Sequence, residues 1–295
     1  MFDRKALKAE ARLRMKESQP RFWKVMLIWV LAAVLAPTVV SGLAGGSIYE
    51  YSAMVAGGID PAMLLSIFGR SILVSMFLGI VVALYQCVMN FGLINYSLKL
   101  WRRQECGNAT LFEGFIMVWR VIGTQVLVAI FVTLWGLLFS IPYMVVVMAA
   151  GIMGGLGVFL AVLASIAYLA GVVAITLKYS LATLALADQP ELGAMGAIRR
   201  SKELMNGHKW DYFMLGFSFI GWIILCSLLM GVLTSLSAAG VIVLPVLAEN
   251  VLSVILGLPF YLWLEPYMQI SYAGFYDTLS SPKENFEPLN EYPEF

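Results

Sequence analysis

Apolar residues in this chain run in long unbroken blocks instead of alternating with polar ones. No Asp, Glu, Lys or Arg interrupts residues 25 to 49, 71 to 98, 121 to 177 or 212 to 248, and each block exceeds the roughly 20 residues that carry a helix across a hydrocarbon core. Continuous hydrophobicity of this kind argues against a transmembrane β-barrel, whose strands alternate. The block from Val121 to Leu177 is long enough for two crossings, and Gly151-Ile-Met-Gly-Gly-Leu-Gly157 supplies flexible backbone for the turn between them. Ile141-Pro142 marks a kink or a helix end, leaving a broken segment near 142 to 150 as an alternative. The pattern predicts six transmembrane helices, at about 25–46, 72–97, 121–141, 157–177, 212–235 and 250–272. Only fifteen uncharged residues separate Glu249 from Glu265, so the last helix must carry Glu265 toward an interface or into protein.

Shorter amphipathic stretches, residues 3 to 18, 110 to 119 and 190 to 206, precede spans one, three and five. Spans two and four leave the apolar region through related sequences, Asn95-Tyr-Ser-Leu-Lys-Leu100 and Lys178-Tyr-Ser-Leu-Ala-Thr183. The expected fold is therefore all-α, a polytopic membrane protein of three parallel pseudo-repeats, each a cytoplasmic interfacial helix followed by a transmembrane hairpin. The units fall at about 1–100, 101–188 and 189–279 of a single domain, and 280–295, with three prolines and four glutamates, is an acidic extended tail.

In the third amphipathic stretch Asp188 or Gln189 is expected to cap the helix and Asn206-Gly207 to stop it. Met195, Ile198, Ser201, Leu204 and Met205 form its apolar stripe. Phe2, Ala6, Ala9 and Leu13 form the equivalent stripe at the N-terminus. Both helices are expected to lie along the inner leaflet, with Trp210 and Tyr212 at headgroup depth.

Charge fixes an orientation. Of the 19 Lys and Arg residues, all but Arg70 fall before span one, between spans two and three or four and five, or in the tail. Basic loop flanks stay cytoplasmic, so both termini are expected in the cytoplasm. Arg4, Lys8, Arg12, Arg102, Arg103, Arg199, Arg200 and Lys202 are placed to meet anionic inner-leaflet headgroups, at about 1 kcal/mol each. Composition agrees: 61% hydrophobic and only 13% charged residues, with a mean hydropathy of +0.85, against about a quarter charged in ordinary globular domains. The apolar segment after the basic N-terminus is longer than a secretory signal core and reads as a first transmembrane helix.

Several blocks carry a family resemblance. Asp3-Arg-Lys-Ala-Leu-Lys-Ala-Glu-Ala-Arg12, Leu98-Lys-Leu-Trp-Arg102 with Leu111-Phe-Glu-Gly-Phe115, Ala197-Ile-Arg-Arg-Ser-Lys-Glu-Leu-Met205 with Gly207-His-Lys-Trp210, Leu215-Gly-Phe-Ser-Phe-Ile-Gly-Trp222 and Tyr272-Ala-Gly-Phe-Tyr276 resemble the bacterial integral-membrane family called domain of unknown function 975. The resemblance implies a bacterial cytoplasmic-membrane protein, commonly of Gram-positive organisms, and no established activity.

Chemistry-bearing patterns are sparse. A Ser201–His208–Asp211 arrangement has Gly207 breaking the helix between its first two members and lacks a nucleophile elbow. Cys87, Cys106 and Cys226 with a single histidine offer neither a disulfide framework nor a metal knuckle. The glycines at 151 to 157 lack the Lys and Ser/Thr of a phosphate loop. No enzyme activity, cofactor or nucleic-acid partner is expected. Polar groups at membrane depth are costly unless paired or wet, which singles out Asn90, Asn95, Lys178, Glu249, Glu265 and Gln269 as buried or cavity-lining candidates. Lys178 and Glu265 either meet beside a cytoplasm-facing cavity or reach the headgroups separately. The expected function is noncatalytic: binding, exporting or conferring tolerance to a hydrophobic or amphipathic peptide or lipid. The alternative is a scaffold that recruits a cytoplasmic partner subunit through the interfacial helices and acidic tail.

Overall fold

A computed structural model describes residues 3–18, 21–40, 57–58, 60–151, 153–238 and 246–280, and every regular element among them is helical. Helix α1 (Arg4–Glu17) starts where the Asp3 carboxylate accepts from the amides of Lys5 and Ala6, at 2.9 and 3.2 Å. Next comes α2 (Phe22–Trp29), continued by a π-helical turn over Val30–Leu35. The long α3 (Pro61–Trp101) follows, then a 3₁₀ segment over Asn108–Phe115, α4 (Val118–Ala150), α5 (Gly154–Tyr179) and α6 (Ala182–Asp188). A 3₁₀ turn over Pro190–Leu192 leads into α7 (Gly193–Leu204), α8 (Lys209–Phe217), α9 (Ile220–Ala238) and α10 (Val246–Leu256). A second π turn, Phe260–Leu264, runs directly into α11 (Glu265–Ser280).

Four of these helical stretches are long and apolar enough to cross a membrane: Phe22–Val40, Leu73–Trp101, Val118–Ala150 and Gly154–Asp188. Two more crossings result if each bent pair counts as one, Lys209–Phe217 with Ile220–Leu229 (41°) and Asn250–Leu256 with Phe260–Ser280 (51°). All six overlap the stretches expected from hydropathy. Their ends differ for local reasons. The 41 residues of α3 extend about 60 Å, because Asp60-Pro61 provides a helix start well before the apolar block and places Arg70 on the helix. Pro142 neither ends nor breaks α4, since one missing amide removes one bond from a helix of 33 residues. The turn to α5 is correspondingly tight, and Gly154 takes it with φ of 59°.

The amphipathic stretches depart further from expectation. Residues 110–115 form a 3₁₀ segment instead of an α-helix, and α4 already begins at Val118; the segment lies so close to α3 that a Cβ on Gly92 would clash with the Leu111 carbonyl oxygen. Helix α7 begins at Gly193 without the expected cap from Asp188 or Gln189, because the Asp188 carboxylate is bound elsewhere. Its stripe of Ile198, Ser201, Leu204 and Met205 is buried against protein, with Ala197 joining it and Met195 left exposed. On α1 the expected stripe is reversed. Leu7 and Ala11 are buried while Ala6, Ala9 and Leu13 face outward; Phe2 lies outside the described residues.

Buried side chains gather at one end of the molecule. They come from α1, the start of the first membrane-length helix, Met89–Trp101 of α3, α6, α7 and Leu264–Tyr276. Toward the other end large apolar side chains point outward, among them Leu73, Phe77, Leu134, Met148, Phe159, Leu169 and Leu228.

Candidate functional site

Pro37 and Pro266 each sit just after a π turn. A proline ring clashes with the carbonyl four residues back, and a widened preceding turn relieves the clash. The Ala36 amide accordingly bonds the Leu31 carbonyl and the Glu265 amide bonds that of Phe260, five residues back in each case. Because Pro37 has no amide, the neighbouring carbonyls of Ala32 and Ala33 are one donor short. Side chains of α3 supply donors: Tyr85 Oη to Ala32 O at 2.9 Å and Gln86 Nε2 to Ala33 O at 2.7 Å. Trp29 Nε1 returns a bond to Met89 O at 3.2 Å, so the first membrane-length helix is stitched to α3.

Between the two π turns and α3 lies a cavity of about 330 Å³. Trp29, Val34 and Thr38 form one wall, Gln86 and Asn90 of α3 a second, and Phe260, Tyr261 and Glu265 a third. Glu265 accepts a hydrogen bond from Gln269 Nε2 at 2.9 Å, so these two candidates act as a pair one helical turn apart. None of the ion pairs among the described residues involves Glu265. Asn90 is exposed to the cavity rather than buried.

Lys178 does not meet Glu265. Its Nζ lies 6.0 Å over the Trp135 ring, because α5 packs mainly on α4 whereas α11 packs mainly on α1 and α3. Asn95 is buried; its amide donates to Glu113 at 2.7 Å, beside the Lys99–Glu113 ion pair at 2.7 Å. The side chain of Glu249 lies outside the described residues.

A second cluster joins three helix ends. Arg102, just past α3, bonds Asp188 at the end of α6 and, at 2.7 Å, Asp277 of α11; Tyr276 Oη donates to Asp188 at 2.9 Å. Burial alone would lower the Arg102 pKa, and the bonds and charges of the two aspartates reverse this and raise it. Arg102 is thus not a free headgroup ligand.

Other interfacial cations are also engaged. Lys8 Nζ sits 4.2 Å over the Phe219 ring and bonds Ser218 Oγ at 3.1 Å; burial, then the nearby Arg12 charge, lowers its pKa. Arg12 Nε donates to Tyr267 Oη at 3.1 Å, and Lys202 lies 5.4 and 5.2 Å over Phe131 and Tyr179. Arg103 pairs with Glu17 at 3.5 Å and Arg200 with Glu203 at 3.7 Å, while Arg4 is half-buried and Arg199 exposed. Ser201 serves the backbone: its Oγ donates to Lys178 O at 2.9 Å and accepts from the Leu181 amide at 3.2 Å across the α5–α6 break. His208 lies 3.7 Å from Asp211 at the start of α8.

Trp29, Gln86 and Thr38 escaped sequence reading, as did Asp188 and Asp277 as an arginine clamp. The x-Pro steps at 36–37 and 265–266, with Gln86 in a charge-free block, were the available signals. What these elements define is an all-helical protein whose long apolar helices are compatible with a membrane protein, with a polar cavity among them. The family described as Protein of unknown function (DUF975) matches residues 1–283, and the chain belongs to it. No curated protein and no solved structure matches the chain.

Proposed function

We propose that the protein crosses the bacterial cytoplasmic membrane six times, with both termini in the cytoplasm. It binds an amphipathic peptide or lipid without catalysis, in the service of its export or of tolerance to it. The single observation that carries this reading is the cavity with Glu265 on its wall, set among apolar helices where a polar lining is costly unless it is used. The hairpin repeat draws support from the Arg102 cluster: the ends of spans two, four and six each contribute one charged member. Inner-leaflet lipid contacts then fall to the exposed Arg199 and to the outward face of α1.

A scaffold reading draws on that same face, where Ala6, Ala9 and Leu13 point outward for a partner subunit to cover. The acidic tail that would assist lies outside the described residues.

The test is purification of the full chain in native nanodiscs, with mass spectrometry of what accompanies it. A discrete amphipathic species, enriched over bulk lipid and lost from a Glu265→Gln variant, is expected. Bulk lipid alone, identical in both preparations, would overturn the binding reading.

A further inference from the structure

Resting on that reading, we infer that the cavity takes an amphipathic cation, a molecule with an ammonium head and an apolar tail. The argument starts from the donor and acceptor balance of the lining. The Trp29 indole N–H is spent on Met89 O, a Gln86 amide hydrogen on Ala33 O and the Thr38 hydroxyl on Val34 O. Among the described residues nothing donates to Gln86 Oε1 or Thr38 Oγ1, so these acceptors, with the second Gln86 amide hydrogen, remain for a guest. Glu265 adds a carboxylate that the described residues leave without a basic partner, held only by the neutral Gln269 amide.

Set among apolar helices, such a carboxylate favours a guest of opposite charge. Three rings, Trp29, Phe260 and Tyr261, share the walls, and aromatic faces with a carboxylate are the chemistry that recognises ammonium groups. Around 330 Å³ is far more than a bare ion requires. Among the described residues no three His, Cys, Asp or Glu side chains gather to hold a metal, and a hard cation wants six or more oxygens. The exposed Asn90 adds an amide at the rim, and the apolar surfaces of the neighbouring helices accept a tail.

The test is calorimetric titration of the full chain in nanodiscs, against empty nanodiscs, with hexylammonium, hexanol and hexanesulfonate. The cation is expected to bind, with at least about a tenfold loss of affinity in Glu265→Gln; hexanesulfonate is expected not to bind. Phe260→Leu, which keeps the carboxylate and should fold normally, is expected to weaken the cation about threefold to tenfold while leaving hexanol unchanged. Equal binding of cation and hexanol, unaffected by either variant, would overturn the charge preference and leave an amphiphile site standing. Binding of hexanol but not the cation would show a site that excludes charge and would also overturn the inference. No binding of any probe, together with bulk lipid alone in the purified sample, would overturn the binding reading itself.

Discussion

The α4–α5 hairpin and the helices around the cavity have nearly the same hydropathy and opposite surroundings. Mean values are 2.2 and 2.6 for Val118–Ala150 and Gly154–Asp188, against 2.0 for both Phe22–Val40 and Leu73–Trp101. Yet only 11% and 6% of the hairpin's apolar windows are buried within the protein, against 33% and 28% beside the cavity. Each region also contains a proline within a helix. Pro142 leaves α4 an uninterrupted α-helix, whereas Pro37 follows a π turn whose neighbouring carbonyls are held by Tyr85 and Gln86. Hydrophobicity therefore states that a helix seeks an apolar setting and leaves open whether protein or lipid supplies it. The polar donors facing a helix mark the places where protein does.

The tie between the two regions should be the costliest thing to break. Arg102→Ala strands Asp188 and Asp277 and is expected to lower stability by about 2–3 kcal/mol in thermal unfolding of the purified protein. Combined with Asp188→Asn, the loss should fall short of the sum of the single losses; additive losses would dissolve the cluster. Next come paired glycines. Gly92→Ala drives a methyl into the Leu111 backbone and should cost about 1–3 kcal/mol, whereas Gly136→Ala on α4 meets open space and should be neutral or slightly stabilising. A smaller effect separates the prolines. Gln86→Leu should cost about 1–2 kcal/mol by stripping Ala33 O of its donor, and Pro37→Ala should recover part of that loss. Outward-facing Leu169→Ala, on the hairpin, should change stability by about 0.5 kcal/mol or less. A loss as large as that from Gln86→Leu would erase the distinction between the regions.

Sequence reading located the four membrane-length helices and both bent pairs among the described residues, because span hydropathy is a sum over consecutive residues and needs no partner. Of the polar candidates, Asn90 and Glu265 lie on the cavity wall and Gln269 bonds Glu265. Sequence reading failed wherever the answer lay across the chain. Lys178, near the end of α5, and Glu265, at the start of α11, face different neighbours. On α1 the most regular apolar stripe points outward, since Lys8 over Phe219 and Arg12 over Tyr267 turn Leu7 and Ala11 toward the protein. Asp188 looked like a cap because its partners, Arg102 and Tyr276, are 86 and 88 residues away.

The central claim, a wet polar pocket beside dry helices of similar hydropathy, is tested most directly by spin labels at two positions. In a background with Cys87, Cys106 and Cys226 replaced by alanine, labels go on Asn90→Cys and Leu138→Cys, and the reconstituted protein is exposed to a water-soluble nickel complex and to oxygen. The account predicts nickel-dominated relaxation at 90 and oxygen-dominated relaxation at 138. Oxygen-dominated relaxation at both would contradict it.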